Sequence, residues 1–238
     1  MKYVRDKARL TYVVEFFKAL LFDKVSIICR DDVERTQVVV CTEGLESFVD
    51  IVCFENSKGT YDTLRQMVPS IKSDCIVVTS NFNLHLNLHD IANVYRRKEC
   101  ACLFVLEQLK DHTTAKDGAN PVYGITSDHH IISYADLLSR SNSLNIPHSL
   151  LIDYPSFCLY TNLHDCECYF MSKVMLQLLD TVQAIDDFKA DFLSVMIRRQ
   201  HYYMLDTKYT SMRDIIKSEA NAHIFRSSRE LVIRAYLL

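Results

Sequence analysis

Apolar residues recur at two different spacings along the first half of the chain. In residues 10–22, LTYVVEFFKALLF, they lie three or four positions apart, which predicts an amphipathic helix. Short, nearly all-apolar runs predict buried strands, and they cover residues 24–29, 37–41, 48–54, 75–78 and 100–108. Helices are predicted between the later strands, one opening at Gly59–Thr60 and one over residues 88–97. This alternation indicates βαβ units and a mostly parallel sheet.

The second half of the chain has a different pattern. Residues 109–120 are polar and rich in turn formers, which predicts a loop. Further elements then follow: short strands over residues 122–127, 130–135, 156–163, 166–172 and 222–226, and helices near residues 172–181, 186–198 and 228–238. We therefore expect one α/β domain over residues 1–238, in which an antiparallel and helical half, about residues 121–238, extends a parallel half, about residues 1–108.

Composition and charge narrow the class of protein. Hydrophobic residues make up 49% and charged residues 24% of the chain, which is ordinary for a globular protein. No apolar run approaches the roughly 20 residues that cross a bilayer, and the first residues do not resemble a signal peptide. A net charge of −3 gives no overall attraction to nucleic acid. We expect an intracellular, cytoplasmic protein without a membrane partner.

Cysteine and glycine usage exclude several kinds of site. The nine cysteines contain no CxxC pair, and Cys100/Cys102 and Cys166/Cys168 have a spacing that places both side chains on one face of a strand. This spacing predicts free, packed thiols better than zinc ligands. Only four glycines occur, where average usage would give roughly 17. The sequence therefore has no glycine-rich loop of the P-loop or Rossmann kind.

A few polar segments are candidates for chemistry. His85 and His89 have a metal-ligand spacing, but His85 is predicted to precede the helix, so we expect loop histidines. Asp165 lies at a junction between strands, where it can meet a ligand or stabilise a turn. The best binding loop is residues 55–65, ENSKGTYDTLR, because Gly59–Thr60 at a helix start offers free amides and a hydroxyl that can also cap the helix.

The order of the motifs resembles one known family. It contains a GTxDTLR helix, then a strand with a short polar turn, then LHDIANVYRR, then YTNLxDxxxY and a helix ending IRRQ. This order is similar to the nucleotidyltransferase, or sugar-phosphate pyrophosphorylase-like, family, and within it most similar to the gamma subunit of translation initiation factor 2B, a guanine nucleotide exchange complex. The resemblance implies a Rossmann-like mixed sheet flanked by helices, with an antiparallel extension.

Two departures from the family pattern concern its reaction. The family's enzymes begin with a glycine-rich loop, G-G-x-G-T-R-L, whereas residues 6–17, DKARLTYVVEFF, resemble the helix after that loop. The family's metal-binding Asp corresponds to Asn81, and a neutral amide is a poorer magnesium ligand than a carboxylate. We therefore expect that loop and the gamma subunit's C-terminal β-helix to be absent. The resemblance then implies a degenerate nucleotide site without catalysis, cofactor or metal, at Gly59, Thr60, Asp62, Asn81 and Asp165.

Three functions follow as hypotheses. The first is a non-catalytic subunit that docks with other subunits of a translation initiation exchange complex. The second is a stand-alone factor that binds the ribosome or rRNA, with contacts from the cations Arg96, Arg97, Lys98, Arg198 and Arg199. The third is an active sugar-phosphate nucleotidyltransferase. The two departures favour a non-enzyme of the translation machinery.

Overall fold

The computed structural model describes residues 3–4, 7–54, 57–79, 82–98, 100–109, 121–135, 146, 148–181, 188–200 and 232–238. The strands within these ranges are β1 (Tyr3–Val4), β2 (Lys7–Ala8), β3 (Val25–Cys29), β4 (Val49–Cys53), β5 (Cys75–Val78), β6 (Cys102–Gln108), β7 (Val122–Ile125), β8 (Ile131–Ala135), β9 (Cys158–Tyr160), β10 (Leu163–Met171) and β11 (Ile233–Leu237). The α-helices are α1 (Arg9–Ala19), α2 (Asp32–Cys41), α3 (Thr60–Met67), α4 (Leu88–Lys98), α5 (His148–Asp153), α6 (Lys173–Gln177) and α7 (Ser194–Arg199). Two 3₁₀ turns, Val68–Ser70 and Leu178–Thr181, and a π-helix, Phe188–Leu193, complete the described elements.

A four-stranded sheet carries most of the core. Its strand order is β11-β6-β10-β5, and β10 runs antiparallel to both of its neighbours while β11 runs parallel to β6. Residues 102–106 of β6 are all at most 1% exposed, because β6 has a strand on either side and side chains packed over both faces. Phe104 and Leu106 belong to one hydrophobic cluster, and Leu103 and Val105 to the other.

Two smaller sheets and a hairpin surround this one. β3 and β4 form a parallel pair in register from Val25 opposite Val49 to Cys29 opposite Cys53, and α2 connects them. β7 lies between β8 and β9 in a three-stranded antiparallel sheet, and β1 pairs with β2. The predicted α/β class with a mixed sheet and flanking helices is confirmed.

Residues 37–41 do not form the predicted strand. They are the second half of α2, whose N-cap Asp31 accepts a hydrogen bond of 2.7 Å from the Glu34 amide. Val38 faces the core, whereas Val39 and Val40 are 50% and 68% exposed. The β-branched run was misleading because strand propensity is easily overridden, and the connection between two parallel strands is usually a helix.

The C-terminal end and the division into halves also need correction. Residues 228–238 were predicted as a helix, but residues 233–237 form β11, which buries Ile233 and Ala235 against β6. β10 from the second half lies between β5 and β6, so residues 1–108 do not form a parallel sheet of their own. The strand predicted over residues 222–226 lies outside the described residues. In the part of the chain that the structure describes, no helix is both long and apolar enough to cross a membrane.

Candidate functional site

A cavity of about 960 Å³ lies between the β3–β4 pair and the β5 edge of the four-stranded sheet. It is bordered by α1, β3, the start of α3, the end of β5 and the middle of β10. Its lining is mainly apolar, and its charged side chains among the described residues are Arg9, Arg30 and Glu167. A mostly apolar cavity with a few polar groups is typical of a small-molecule site.

The carboxylate of Glu167 reaches this cavity because β10 is irregular. The pairing of β10 with β6 shifts register between Asp165 and Tyr169, and Glu167 there has a φ of +55°, which is uncommon for any residue but glycine. The Thr79 hydroxyl donates a hydrogen bond to the Glu167 carboxylate, and the Thr79 amide donates to the Glu167 carbonyl at 3.3 Å. The turn after β5 thus obtains from β10 an acid that its own sequence does not contain.

Arg9 brings a cation to the same cavity from the first turn of α1. Its Nη2 donates to the Phe82 carbonyl at 2.7 Å, which directs the guanidinium toward the loop after β5. Its Nε is buried and, among the residues that the structure describes, has no hydrogen-bond partner. A buried donor left without a partner is costly, so an anionic ligand that accepted from it would be bound favourably.

The predicted helix start at Gly59–Thr60 is confirmed, and both residues line the cavity. Gly59 is the N-cap residue, and the Thr60 hydroxyl does not cap the helix but accepts from the Phe188 amide at 3.2 Å. The Thr63 hydroxyl instead donates to the Gly59 carbonyl at 2.8 Å. The positive end of the helix dipole at Gly59–Thr60 therefore faces the cavity.

The two predicted aspartates are used within the protein. On α3, Asp62 accepts from the Lys58 amide at 3.3 Å and from Arg65 at 3.2 Å; although burial acts in the opposite direction, these hydrogen bonds lower its pKa. Asp165 is 6% exposed and accepts from the Tyr169 hydroxyl and the Glu167 amide, both at 2.8 Å. Asp165 therefore shapes the bulge that presents Glu167.

The other predicted positions are spread over the molecule. Asn81 and the side chains of Arg198 and Arg199 lie outside what the structure describes, so their predicted roles stay predictions. Arg96, Arg97 and Lys98 are exposed at the end of α4, where the helix dipole favours cations. His85 is an exposed residue ahead of α4, as predicted, and its amide donates to the Asn83 side chain.

A second cavity of about 450 Å³ shares Arg9 with the first. The side chains around it include Asn83, His85, Glu107, His164 and Cys166. In the described ranges, no group of three His, Cys, Asp or Glu side chains could hold a metal ion. All nine cysteines are free, and burial raises the pKa of Cys75 to about 12 and that of Cys29 to about 11.

The fold is that of the nucleotidyltransferases. HddC from Yersinia pseudotuberculosis matches with a TM-score of 0.59 and 14% identity over 100% of this chain and 79% of HddC. The HddC structure complexed with GMP-PN matches with a TM-score of 0.58 and 13% identity, over 100% of this chain and 80% of HddC. Apo-UDP-glucose pyrophosphorylase matches with a TM-score of 0.52 and 14% identity, over 84% of this chain and 78% of that protein. No protein-family model matches the chain.

These comparisons correct the expectation of a non-enzyme and support the resemblance to the nucleotidyltransferases only in part. The sequence was expected to encode a non-enzyme, but the matched proteins are nucleotidyltransferases, which are enzymes, so the pseudoenzyme prediction is wrong. The resemblance to the nucleotidyltransferases holds at the level of the fold, and nothing in these matches links the chain to the gamma subunit of initiation factor 2B. The partners expected from the sequence stay predictions; these are the subunits of an exchange complex or, alternatively, the ribosome or rRNA.

Proposed function

We propose that the chain is a nucleotidyltransferase-like enzyme that binds a nucleoside triphosphate in the 960 Å³ cavity. The observation that carries this proposal is the meeting of Arg9, Glu167 and the Gly59–Thr60 helix start around one mainly apolar space. The apolar walls suit a base and sugar, while the N-terminal end of α3 and the buried Nε of Arg9 suit phosphate oxygens.

The reaction class follows from this arrangement and the fold. A phosphate oxygen of a second substrate, such as a sugar phosphate, attacks the α-phosphorus of the triphosphate. The bond from that phosphorus to the bridging oxygen breaks, and pyrophosphate leaves with the electron pair. Charge builds up on the phosphate oxygens in this step, and Arg9 offers it a positively charged donor.

Glu167 fits the role of a metal ligand in such a reaction. Magnesium at nucleotide sites is commonly held by one or two carboxylates together with substrate phosphates and waters. Glu167 is the acidic side chain that lines the cavity among the described residues, so it would give one protein ligand. The bound ion would neutralise phosphate charge, and the Thr79 hydroxyl would keep the carboxylate oriented toward the cavity.

The test is pyrophosphate release from a panel of nucleoside triphosphates and sugar phosphates with magnesium. We expect turnover by the full chain, and a loss of roughly 100-fold in kcat/KM in Glu167→Gln with the free energy of unfolding nearly unchanged. Glu46→Gln is the matched control, since Glu46 is exposed, lies outside the cavity lining and accepts from the nearby Gly44 amide. Absence of turnover with every pair at high enzyme concentration contradicts the proposal.

A second candidate function is binding to the translation machinery. It is supported by the motif resemblance and by the exposed cluster of Arg96, Arg97 and Lys98 at the end of α4. Phosphate contacts of this kind weaken steeply with salt. Sedimentation of extract through sucrose gradients tests it: we expect migration with ribosomal particles that is lost at high salt, and migration as a free protein at low salt contradicts it.

A further inference from the structure

Two cysteines lie opposite each other at the ends of β3 and β4. In the parallel register of these strands, Cys29 is paired with Cys53. Among the strand pairings that the structure describes, this is the one place where two cysteines are direct partners. The pairing continues past both residues, because the Phe54 amide donates to the Cys29 carbonyl at 3.1 Å. The backbone therefore holds the two cysteines side by side.

The spacing of this cysteine pair suits a disulfide bond. Neighbouring strands lie about 4.8 Å apart, which is within the roughly 4.4–6.8 Å between the Cα atoms of disulfide-bonded cysteines. Paired residues of a parallel ladder point to the same face of the sheet, so both side chains are directed the same way. The two thiols also interact: after burial, the neighbouring Cys53 thiol is the main reason for the raised pKa of Cys29. A bond between the two sulfur atoms therefore requires little backbone movement.

The two thiols differ in their access to solvent. Cys53 is half-buried, and its thiol donates to the Asp31 carbonyl at 3.9 Å. Cys29 is 1% exposed, and burial raises the pKa of its thiol to about 11. An oxidant that arrives from solution therefore meets Cys53 first, and Cys29 is the second thiol to react.

The strands that carry the cysteine pair are sparsely covered. Ile28, next to Cys29, is 38% exposed, and Val38 is the buried residue of the connecting helix α2. Burial of apolar side chains therefore contributes less stability here than in the four-stranded sheet. A cross-link between residues 29 and 53 would restrict the unfolded chain and stabilise the β3–β4 pair without further apolar contacts.

We propose that Cys29 and Cys53 form a reversible disulfide by exchange with a low-molecular-weight disulfide such as oxidised glutathione, and that this bond stabilises the β3–β4 pair. The inference stands on the register of the two strands and does not require nucleotidyl transfer. It makes the cysteine pair a site of oxidative modification.

The exchange takes two steps. The Cys53 thiol loses its proton, and the thiolate attacks one sulfur of oxidised glutathione; the S–S bond breaks, and one glutathione thiolate leaves with the electron pair. The Cys29 thiol then loses its proton, and its thiolate attacks the Cys53 sulfur and displaces the second glutathione thiolate. Two protein thiols are oxidised, and one oxidised glutathione is reduced to two thiols.

The experiment treats the folded full chain with oxidised glutathione and maps its disulfides by mass spectrometry after digestion without reduction. We expect the bond between Cys29 and Cys53 as the main internal disulfide, and its reversal by excess reduced glutathione. Cys29→Ala should stop at glutathione attached to Cys53. Cys158→Ala is the matched control: Cys158 is an exposed cysteine on β9, so this variant should form the bond as fast as the unmodified chain.

The second step has a pH dependence of its own. In a chain that already carries glutathione on Cys53, closure should become about tenfold faster for each pH unit between pH 8 and pH 10, because the thiolate fraction of Cys29 grows in that proportion below its pKa of about 11. A closure rate that does not change with pH would contradict Cys29 as the second thiol.

Urea unfolding of the reduced and the oxidised chain measures the effect of the bond on stability. We expect oxidation to raise the midpoint by about 1 M in the unmodified chain and to leave it unchanged in Cys53→Ser. Glutathione that stays on Cys53 without closure, a main product that joins other cysteines, or a midpoint that does not rise each overturn the proposal. Formation of the bond in a chain that releases no pyrophosphate would leave it standing and contradict only the proposed enzymatic function.

Discussion

The four-stranded sheet and the β3–β4 pair are built from similar residues but differ greatly in burial. Phe104 of β6 is 1% exposed, whereas Ile28 of β3 is 38% exposed. β6 has a paired strand on each side, and β3 has one partner in the described part of the chain. The comparison teaches that composition selects a strand, while the neighbours that cover it decide how much stability it contributes.

The largest expected effect contrasts these two residues directly. Phe104→Ala removes a ring that packs edge-on against Tyr169, with centroids 5.3 Å apart, and should cost about 3–5 kcal/mol in the free energy of unfolding. Ile28→Ala should cost less than about 1 kcal/mol, because much of that side chain is already in water. Urea unfolding of both variants measures the difference. Equal losses would show that the two sheets form one equally buried core.

An intermediate effect concerns alkaline pH. Burial raises the pKa of Cys75 to about 12, and it also raises the pKa of Cys102 well above the ordinary thiol value of 9.0. The unfolded thiols lose their protons first, so their contribution to stability is complete below pH 9 and falls as the pH rises toward the folded pKa. The loss approaches about 1.4 kcal/mol per pH unit for each such group.

Urea unfolding at pH 8 to 10.5 measures this loss in the free energy of unfolding. In Cys75→Ala the slope above pH 9 should be shallower, because one of the shifted thiols is gone. Cys158→Ala is the control: Cys158 is exposed on β9, and its removal should leave the slope unchanged. If Cys75→Ala left the slope of unfolding free energy against pH unchanged, the raised pKa of the Cys75 thiol would be contradicted.

The smallest expected effect has the opposite sign. Val40 is 68% exposed in α2, and alanine is a better helix former than a β-branched residue, so Val40→Ala should stabilise the protein by a few tenths, about 0.3 kcal/mol. Val38→Ala, on the buried face, should destabilise it. Thermal unfolding of the two variants measures both changes. A loss of stability in Val40→Ala would favour the strand that the sequence alone predicted for residues 37–41.

Much of the fold could be predicted from periodicity, and the exceptions have physical reasons. The spacing of Val13, Phe16 and Phe17 predicted the helix α1, and the run CIVV predicted the strand β5 with its observed bounds. Residues 37–41 misled because their valines have strand propensity but follow an N-cap at Asp31. β11 was missed because Ile233 and Ala235 are buried by pairing with a strand distant in sequence, and local patterns do not report such pairing.

The candidate site was predictable only where it is local in sequence. Gly59 and Thr60 follow a strand and open a helix, so their position on a cavity could be inferred. Glu167 could not be assigned, because its carboxylate reaches Thr79 through a bulge that has no sequence signature in CECYFM. Arg9 lies in a helix start without a motif of its own, and its importance depends on a buried Nε visible only in three dimensions.

The position of β10 has a consequence for how the chain folds during synthesis. β5 and β6 both depend on β10 for pairing, with Phe170 opposite Ile76 on one side and Leu103 on the other. Until residues 163–171 leave the ribosome, these two apolar strands have no route to their native sheet. Pairing at such long sequence separation slows folding and exposes aggregation-prone edges. The synthesis of residues 163–171 is therefore the earliest point at which β5 and β6 can join one sheet.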